Sequence, residues 1–211
     1  MEIVWLGHSS VRLKGNTVTV ITDPYANSVG LSLDKPQADI VTISNDHPHH
    51  SHSSAITGSP RILSGPGEYE ISNFRISGMA TRLQSDDGVR RTNTVFTFRA
   101  EGLTLCHLGD LTENLSPKQI DELSQADVCF VPAGGVCTLD AARIMRIVRL
   151  IDPRILIPIH YNTEGVKVEL DPLDKLLSEL GVADITPQAK LNVTSTNLPA
   201  ELRVVVLQKG S

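Results

Sequence analysis

The N-terminal half of the chain alternates short apolar runs with polar turns. Ile3-Val4-Trp5-Leu6, Ser10-Val11-Arg12-Leu13 and Thr17-Val18-Thr19-Val20-Ile21 have strand length and β-type composition, with Gly7-His8 and Gly15-Asn16 as turns between them. Ile40-Val41-Thr42-Ile43 reads as a strand buried on both faces. Further strands are expected at Arg61-Ile62-Leu63, Phe74-Arg75-Ile76, Asn93-Thr94-Val95-Phe96-Thr97-Phe98 and Leu103-Thr104-Leu105-Cys106. Glu101-Gly102 between the last two predicts a hairpin. Residues 83–92 are polar and charged and contain glycine, so they are expected to form an exposed loop.

The C-terminal half mixes the two periods. Ser116-Pro117-Lys118-Gln119 is a capping-box start, with serine as cap, proline at the first helical position and glutamine at the third. Thr138 is placed to cap a second helix whose Ile144, Ile147, Val148 and Ile151 share one face. Asp171-Pro172 opens a third, with Leu173, Leu176, Leu177 and Leu180 on one face and Gly181 ending it. Val128-Cys129-Phe130-Val131 and Ile155-Leu156-Ile157 read as central strands, and residues 202–207 as a last one.

A length of 211 residues with 40% hydrophobic content suits one domain, 1–211, with a sizeable core. The net charge of −5 argues against nucleic acid as a partner, since phosphate binding needs a basic face. No apolar run is long enough to span a bilayer, and Met1-Glu2-Ile3 opens directly into a strand without a signal peptide. Three cysteines, Cys106, Cys129 and Cys137, read as reduced packing residues of a cytoplasmic protein.

The residues capable of chemistry sit just after apolar strands. His8 follows Val4-Trp5-Leu6, Asp23 follows residues 18–22, Asp110 follows residues 105–109, and His160 follows residues 155–159. Asn45-Asp46-His47-Pro48-His49-His50-Ser51-His52 holds four of the seven histidines and follows Ile40-Val41-Thr42-Ile43. Strands ending at one edge of a layered sheet bring these segments together, and imidazole is the commonest metal-binding side chain. Taken one by one, His8 is equally a hydrogen-bonded turn residue, and Asp23 before Pro24 a turn former. His107, inside its strand, reads as a satisfied core histidine. Cys137 has no base beside it in sequence and reads as packing.

The chain resembles the metallo-β-lactamase-fold superfamily, in its lactonase-like and phospholipase-D-like branch of metal-dependent hydrolases. The resemblance rests on Trp5-Leu6-Gly7-His8-Ser9, Thr22-Asp23-Pro24-Tyr25, residues 38–44, Gly65-Pro66-Gly67-Glu68-Tyr69-Glu70, residues 102–111, Pro132-Ala133-Gly134-Gly135 and Ile157-Pro158-Ile159-His160-Tyr161. It implies an α/β (α+β) four-layer αββα sandwich with the metal site along one edge of the two sheets. Laid on the family motif His-x-His-x-Asp-His, the first histidine falls on Asn45, the second on His47, the aspartate on His49 and the last histidine on His50. The later bridging aspartate falls on Asp110 and the final histidine on His160. A further family histidine is missing from residues 82–86. A register shifted by two, with His47, His49 and His52 as the motif histidines and Ser51 in place of the aspartate, also fits.

The resemblance therefore implies a metal set drawn from His47, His49, His50, Asp110 and His160, with one divalent metal, zinc first and manganese or iron as alternatives. Asp110 and His8 are the expected catalytic residues. The expected reaction is attack of metal-activated water on an ester, lactone or phosphodiester at a partly degenerate site. The competing expectation is a non-catalytic member that binds a ligand or an assembly partner. The expected partners are a small-molecule substrate and a second copy of the chain as a homo-oligomer, with neither nucleic acid nor membrane.

Overall fold

The computed structural model describes residues 1–83, 91–182 and 185–210. The first sheet holds β1 (Glu2–Gly7), β2 (Ser10–Lys14), β3 (Thr19–Thr22), β4 (Ile40–Ile43), β5 (Arg61–Ser64) and β12 (Leu191–Asn192), in the order β12-β1-β2-β3-β4-β5. The second holds β6 (Gly67–Ile71), β7 (Phe74–Leu83), β8 (Arg91–Ala100), β9 (Leu103–His107), β10 (Val128–Pro132), β11 (Ile155–Ile159) and β13 (Arg203–Val204), in the order β13-β11-β10-β9-β8-β7-β6. Each sheet is half antiparallel and half parallel. In the first, β1 to β3 form an antiparallel meander, and β3, β4 and β5 run parallel. In the second, β6 to β9 are antiparallel, and β9, β10 and β11 run parallel.

Parallel neighbours need a crossover, and in the second sheet the crossovers are helices. α1 (Pro117–Leu123) joins β9 to β10 and α2 (Ala141–Ile151) joins β10 to β11. α3 (Asp174–Glu179) packs beside α2. The capping box of α1 is complete, with Gln119 N donating to Ser116 Oγ and Ser116 N to Gln119 Oε1. α2 buries Ile144, Met145, Ile147, Val148 and Ile151 and leaves Arg146 and Arg149 in solvent. Its cap is Asp140 rather than the expected Thr138. The Asp140 carboxylate accepts from Arg143 N at 2.8 Å, whereas Thr138 lies two residues too early and donates to Leu139 O.

The two central sheets and the helical layer on the second match the expected sandwich. The outer face of the first sheet is covered differently. Its apolar patch of Val4, Leu6, Ile21, Val41, Ile43 and Ile56 lies under loops carrying two 3-10 turns, Asn27–Val29 and Ser53–Ala55. Pro24, Pro36, Pro48 and Pro60, with the serines between them, divide this stretch too often for an α-helix to extend. Between the sheets, Ile3, Trp5, Val11, Leu13, Val20 and Ile40 from the first meet Phe96, Phe98 and Ile76 from the second in one continuous core.

Glu101 and Gly102 make the expected two-residue hairpin, both at positive φ. β6, which carries no apolar run, is an edge strand; Gly65-Pro66 passes the chain to it from the edge of the other sheet. Of the expected last strand, Arg203–Val204 pairs with β11. Residues 84–90, the centre of the expected exposed loop, lie outside the described residues. Among the described residues no helix is long and apolar enough to cross a membrane. Replacing the α2 cap, Asp140→Ala, is expected to lower unfolding stability by about 1 kcal/mol in urea titrations. Thr138→Val should stay within about 0.5 kcal/mol of the parent.

Candidate metal centre

Four strands end at one edge of the sandwich, and each ends on a left-handed residue. β1 runs into His8 (φ 50°), β3 into Asp23 (φ 40°) and β11 into His160 (φ 53°), while β9 reaches Asp110 through Gly109 (φ 57°). Non-glycine residues at positive φ are uncommon and cost on the order of 1–3 kcal/mol each, so tertiary contacts must hold them. The contacts are present. His160 N donates to His8 O at 2.8 Å, Asp23 N to Thr42 O at 2.8 Å, and Asp110 N to Asn93 Oδ1 at 2.9 Å. Gly109 is needed twice over, because a β-carbon there would collide with that same Asn93 oxygen. A β-carbon on Gly134 would collide with the His160 carbonyl.

The side chains converge. His8, His50 and His160 are buried, and each offers a ring nitrogen lying within 4.8 Å of those of the other two. Asp110 sits against them, with Oδ2 2.8 Å from His50 Nε2 and Oδ1 3.5 Å from His160 Nε2. On its far side, His50 Nδ1 meets Asp23 Oδ2 at 3.0 Å. Asp23 in turn accepts from Ser44 N at 2.7 Å and Ser44 Oγ at 2.6 Å. A continuous chain of charge and hydrogen bonds thus runs Ser44–Asp23–His50–Asp110 and links the edges of both sheets.

Electrostatics differ sharply among the three imidazoles. Burial opposes charge on His50, but the Asp110 and Asp23 carboxylates outweigh it and push its pKa up to about 10. Burial likewise opposes charge on Asp110, and the facing His50 and His160 overcome it, holding the carboxyl well below its ordinary range. His160 is lowered to about 4 by burial, against the pull of Asp110. His8 is driven down further by burial and by its histidine neighbours, so it is neutral at physiological pH.

Of the residues expected from sequence, the structure brings together His8, His50, Asp110 and His160. His47 is exposed and His49 half-buried, and both stand at the mouth of the site. Their rings lie 4.4 Å apart, with that of His49 5.9 Å from His8. Neither belongs to the convergent group. His52 is exposed as well. Asn45, standing where the family motif has its first histidine, ties the loop. Its Oδ1 accepts from His47 N at 3.1 Å, and its Nδ2 lies 3.4 Å from Asp110 Oδ2. His107 is the satisfied core histidine expected, donating from Nε2 to Ser9 O and accepting at Nδ1 from Gly109 N. Cys106 and Cys129 are buried thiols on adjacent strands, whereas Cys137 is exposed rather than packed. Sequence reasoning placed Asp23 among the strand-end candidates and weighed it as a turn former against direct metal contact; the structure makes it the carboxylate that holds His50 from behind.

The donor set suits a divalent cation. Both ring nitrogens of His8, Nδ1 of His160 and Oδ1 of Asp110 are buried without a hydrogen bond. Buried polar atoms in folded proteins are almost always satisfied, so unpartnered donor atoms on three residues of one histidine and carboxylate cluster call for a ligand. Imidazole and carboxylate are the donors that zinc and its neighbours take.

Comparison with known proteins agrees with this geometry. The model of the beta-lactamase superfamily domain matches residues 2–160. A UPF0173 metal-dependent hydrolase of Archaeoglobus fulgidus is 25% identical over 209 residues, covering 82% of this chain and 88% of that protein. Its counterpart in Saccharolobus solfataricus is 26% identical over 227 residues, covering 92% and 99%. A solved metallo-β-lactamase superfamily protein of Thermotoga maritima superposes with a TM-score of 0.79 at 32% identity, covering 98% of this chain and 97% of that one. With the family model matched over residues 2–160 and the whole sandwich superposing on that relative, the chain belongs to the beta-lactamase superfamily, in the fold of that superfamily's metal-dependent hydrolases.

Proposed function

We propose that this protein is a hydrolase working with a single divalent metal, zinc in the first place, on an ester, lactone or phosphodiester of a small molecule. One observation carries the reading: ring nitrogens of the buried His8, His50 and His160 converge within 4.8 Å of one another beside the Asp110 carboxylate, and neither nitrogen of His8 has a hydrogen-bond partner. His8, His50, His160 and Asp110 would hold the ion. Zinc is also the ion named for the Thermotoga maritima relative. In this set His8 takes the place that the resemblance gives to the motif aspartate, here His49.

A divalent ion held there supplies Lewis acidity and lowers the pKa of water to about 7, making a nucleophile available at neutral pH. The residues of the chain do the rest. Asp23 fixes the ring of His50 through Nδ1, leaving Nε2 turned to Asp110. Asp110 Oδ1, free of hydrogen bonds within the protein and on a carboxyl held well below its ordinary range, is placed to accept a hydrogen bond from the attacking water and orient it. His49, kept neutral by partial burial and by His47 and His50, stands at the mouth where it can take up the water's proton and pass it to a departing alkoxide. A cleft of about 820 Å³ lined by Ile43, Ser44, Asn45, Pro66, Ala80 and Thr94 opens beside Asn45, and its mixed walls, more apolar than polar, suit the body of a small organic substrate. The reading treats residues 1–211 as one cytoplasmic domain, consistent with the shared core and three free thiols, with a second copy as a possible assembly partner.

The second reading, a non-catalytic binding module, draws on Asn45 in a histidine position and on His47 turned to solvent. Metal analysis and turnover separate the two. Protein purified without chelator should carry close to one equivalent of divalent metal, and Asp110→Ala should lose the metal and lower ester or phosphodiester turnover at least about 100-fold. Metal below about a tenth of an equivalent with no uptake on titration sinks the metal reading. Equal background rates for parent and variant favour the binding module.

Two further outcomes follow from the geometry and charge. His47→Ala should retain metal and keep kcat/KM within about threefold, while His50→Ala should lose both, as read by metal content and turnover together. Metal binding must also displace a proton. At about pH 6, His8 and His160 are already neutral, but His50, with its pKa near 10, is protonated and must become neutral to ligate. Calorimetric titration in buffers of different ionisation enthalpy should therefore report about one proton released per metal. The apparent affinity should rise as pH rises toward the pKa of His50.

A further inference from the structure

The imidazole of His8 makes no hydrogen bond through either nitrogen, although it is only 1% exposed. Metal-binding histidines are ordinarily oriented by a partner on the second ring nitrogen. His50 has that partner in Asp23. His8 has none, so beyond ring packing against Tyr25 and its histidine neighbours the direction of its ring depends on its main chain. That main chain is itself in an uncommon state, with Gly7 at φ 107° and His8 at φ 50° immediately after β1. Something must hold it there.

The sole tryptophan of the chain does so from three residues upstream. Trp5 Nε1 donates to the carbonyl of His8 at 2.8 Å. The amide of His160 donates to the same oxygen, also at 2.8 Å. The indole ring stacks on Tyr161, with centroids 5.1 Å apart and planes 17° from parallel. Trp5 therefore grips His8 through a hydrogen bond and the residue after His160 through its face. The His107 ring secures the next carbonyl, that of Ser9, at 2.9 Å. A buried indole N–H usually finds some acceptor, and packing alone would be content with any. Here the acceptor is the one carbonyl shared by two of the convergent histidines.

We propose that Trp5 is the positioning residue of this site. Its N–H locks the His8 carbonyl against the His160 amide and so aims the His8 ring, which packs edge-on to Tyr25 but has no hydrogen bond of its own, at His50 and His160. The proposal rests on the reading of His8 as a ligand.

The test reads metal affinity rather than turnover, using Co(II) or Zn(II) competed against a chelating dye. Trp5→Phe keeps an aromatic face on Tyr161 and removes the donor together with the five-membered half of the buried indole, so the benzothiophene analogue, which removes the N–H alone, is measured beside it. Either change should weaken metal binding about 10- to 100-fold. The same change in a His8→Ala background should weaken it no further, because the residue through which Trp5 acts is gone. Equal losses in both backgrounds mean that Trp5 merely packs, and overturn the proposal, as does unchanged affinity in Trp5→Phe. If Trp5→Phe fails to fold, replacing the single tryptophan with its benzothiophene analogue removes the N–H within the same ring shape, and the same outcomes apply. Absence of metal uptake by the parent protein fails the hydrolase reading itself. In that case the metal-free protein still tests the clamp: a Trp5 indole proton lacking the downfield shift of a hydrogen bond overturns it.

Discussion

One histidine shared between two buried carboxylates organises this molecule. Asp23 ends a strand of the first sheet, Asp110 ends a strand of the second, and His50 between them bonds to both. Neither acid could sit in the interior alone, since a buried charge is tolerated only when it is paired and hydrogen-bonded. Removing one partner from such a set leaves an uncompensated charge and typically costs about 3–5 kcal/mol. The loop after β4 must therefore deliver His50, rather than a neighbouring histidine, to the sheet edge. Ser44 and Asn45 serve that delivery, Ser44 by binding Asp23 and Asn45 by closing the turn onto His47.

Around this axis the two halves of the sandwich contribute unequally. The second sheet is backed by helices whose apolar stripes fill the core, and it presents Asp110 and His160 from rigid strand ends. The first sheet is backed by proline-punctuated loops, and it presents His8, Asp23 and the histidine segment. The backbone bond from His160 N to His8 O, with that from Thr94 N to Ser44 O, ties the two edges together where the site forms.

Much of the fold was legible in the sequence because strand and helix periods are local. The runs at Ile3 to Leu6, Ile40 to Ile43 and Val128 to Val131 appear where their composition places them, and the Ser116 cap is complete down to its glutamine. The α2 cap was misplaced because Thr138 and Asp140 are both cap formers and only the backbone decides between them. The site was legible by class and not by membership. His50, Asp110 and His160 announce themselves by following strands. Whether His8 is a turn residue or a buried donor depends on a left-handed backbone that no residue type dictates. His47 and His49, two residues of the same type in the same loop, face the mouth because the turn His47–His50 closes with His50 N on His47 O and so sends only His50 inward.

The left-handed strand ends have a consequence for how this protein can change over evolutionary time. Asparagine, aspartate and histidine are the side-chain-bearing residues that adopt this conformation most readily, and β-branched residues are effectively barred from it. The positions of His8, Asp23 and His160 therefore admit exchange within the family of metal and proton donors while resisting drift to valine, isoleucine or threonine. The frame is a filter on mutation: it lets the chemistry of the edge be retuned one donor at a time without disturbing the sheets that carry it.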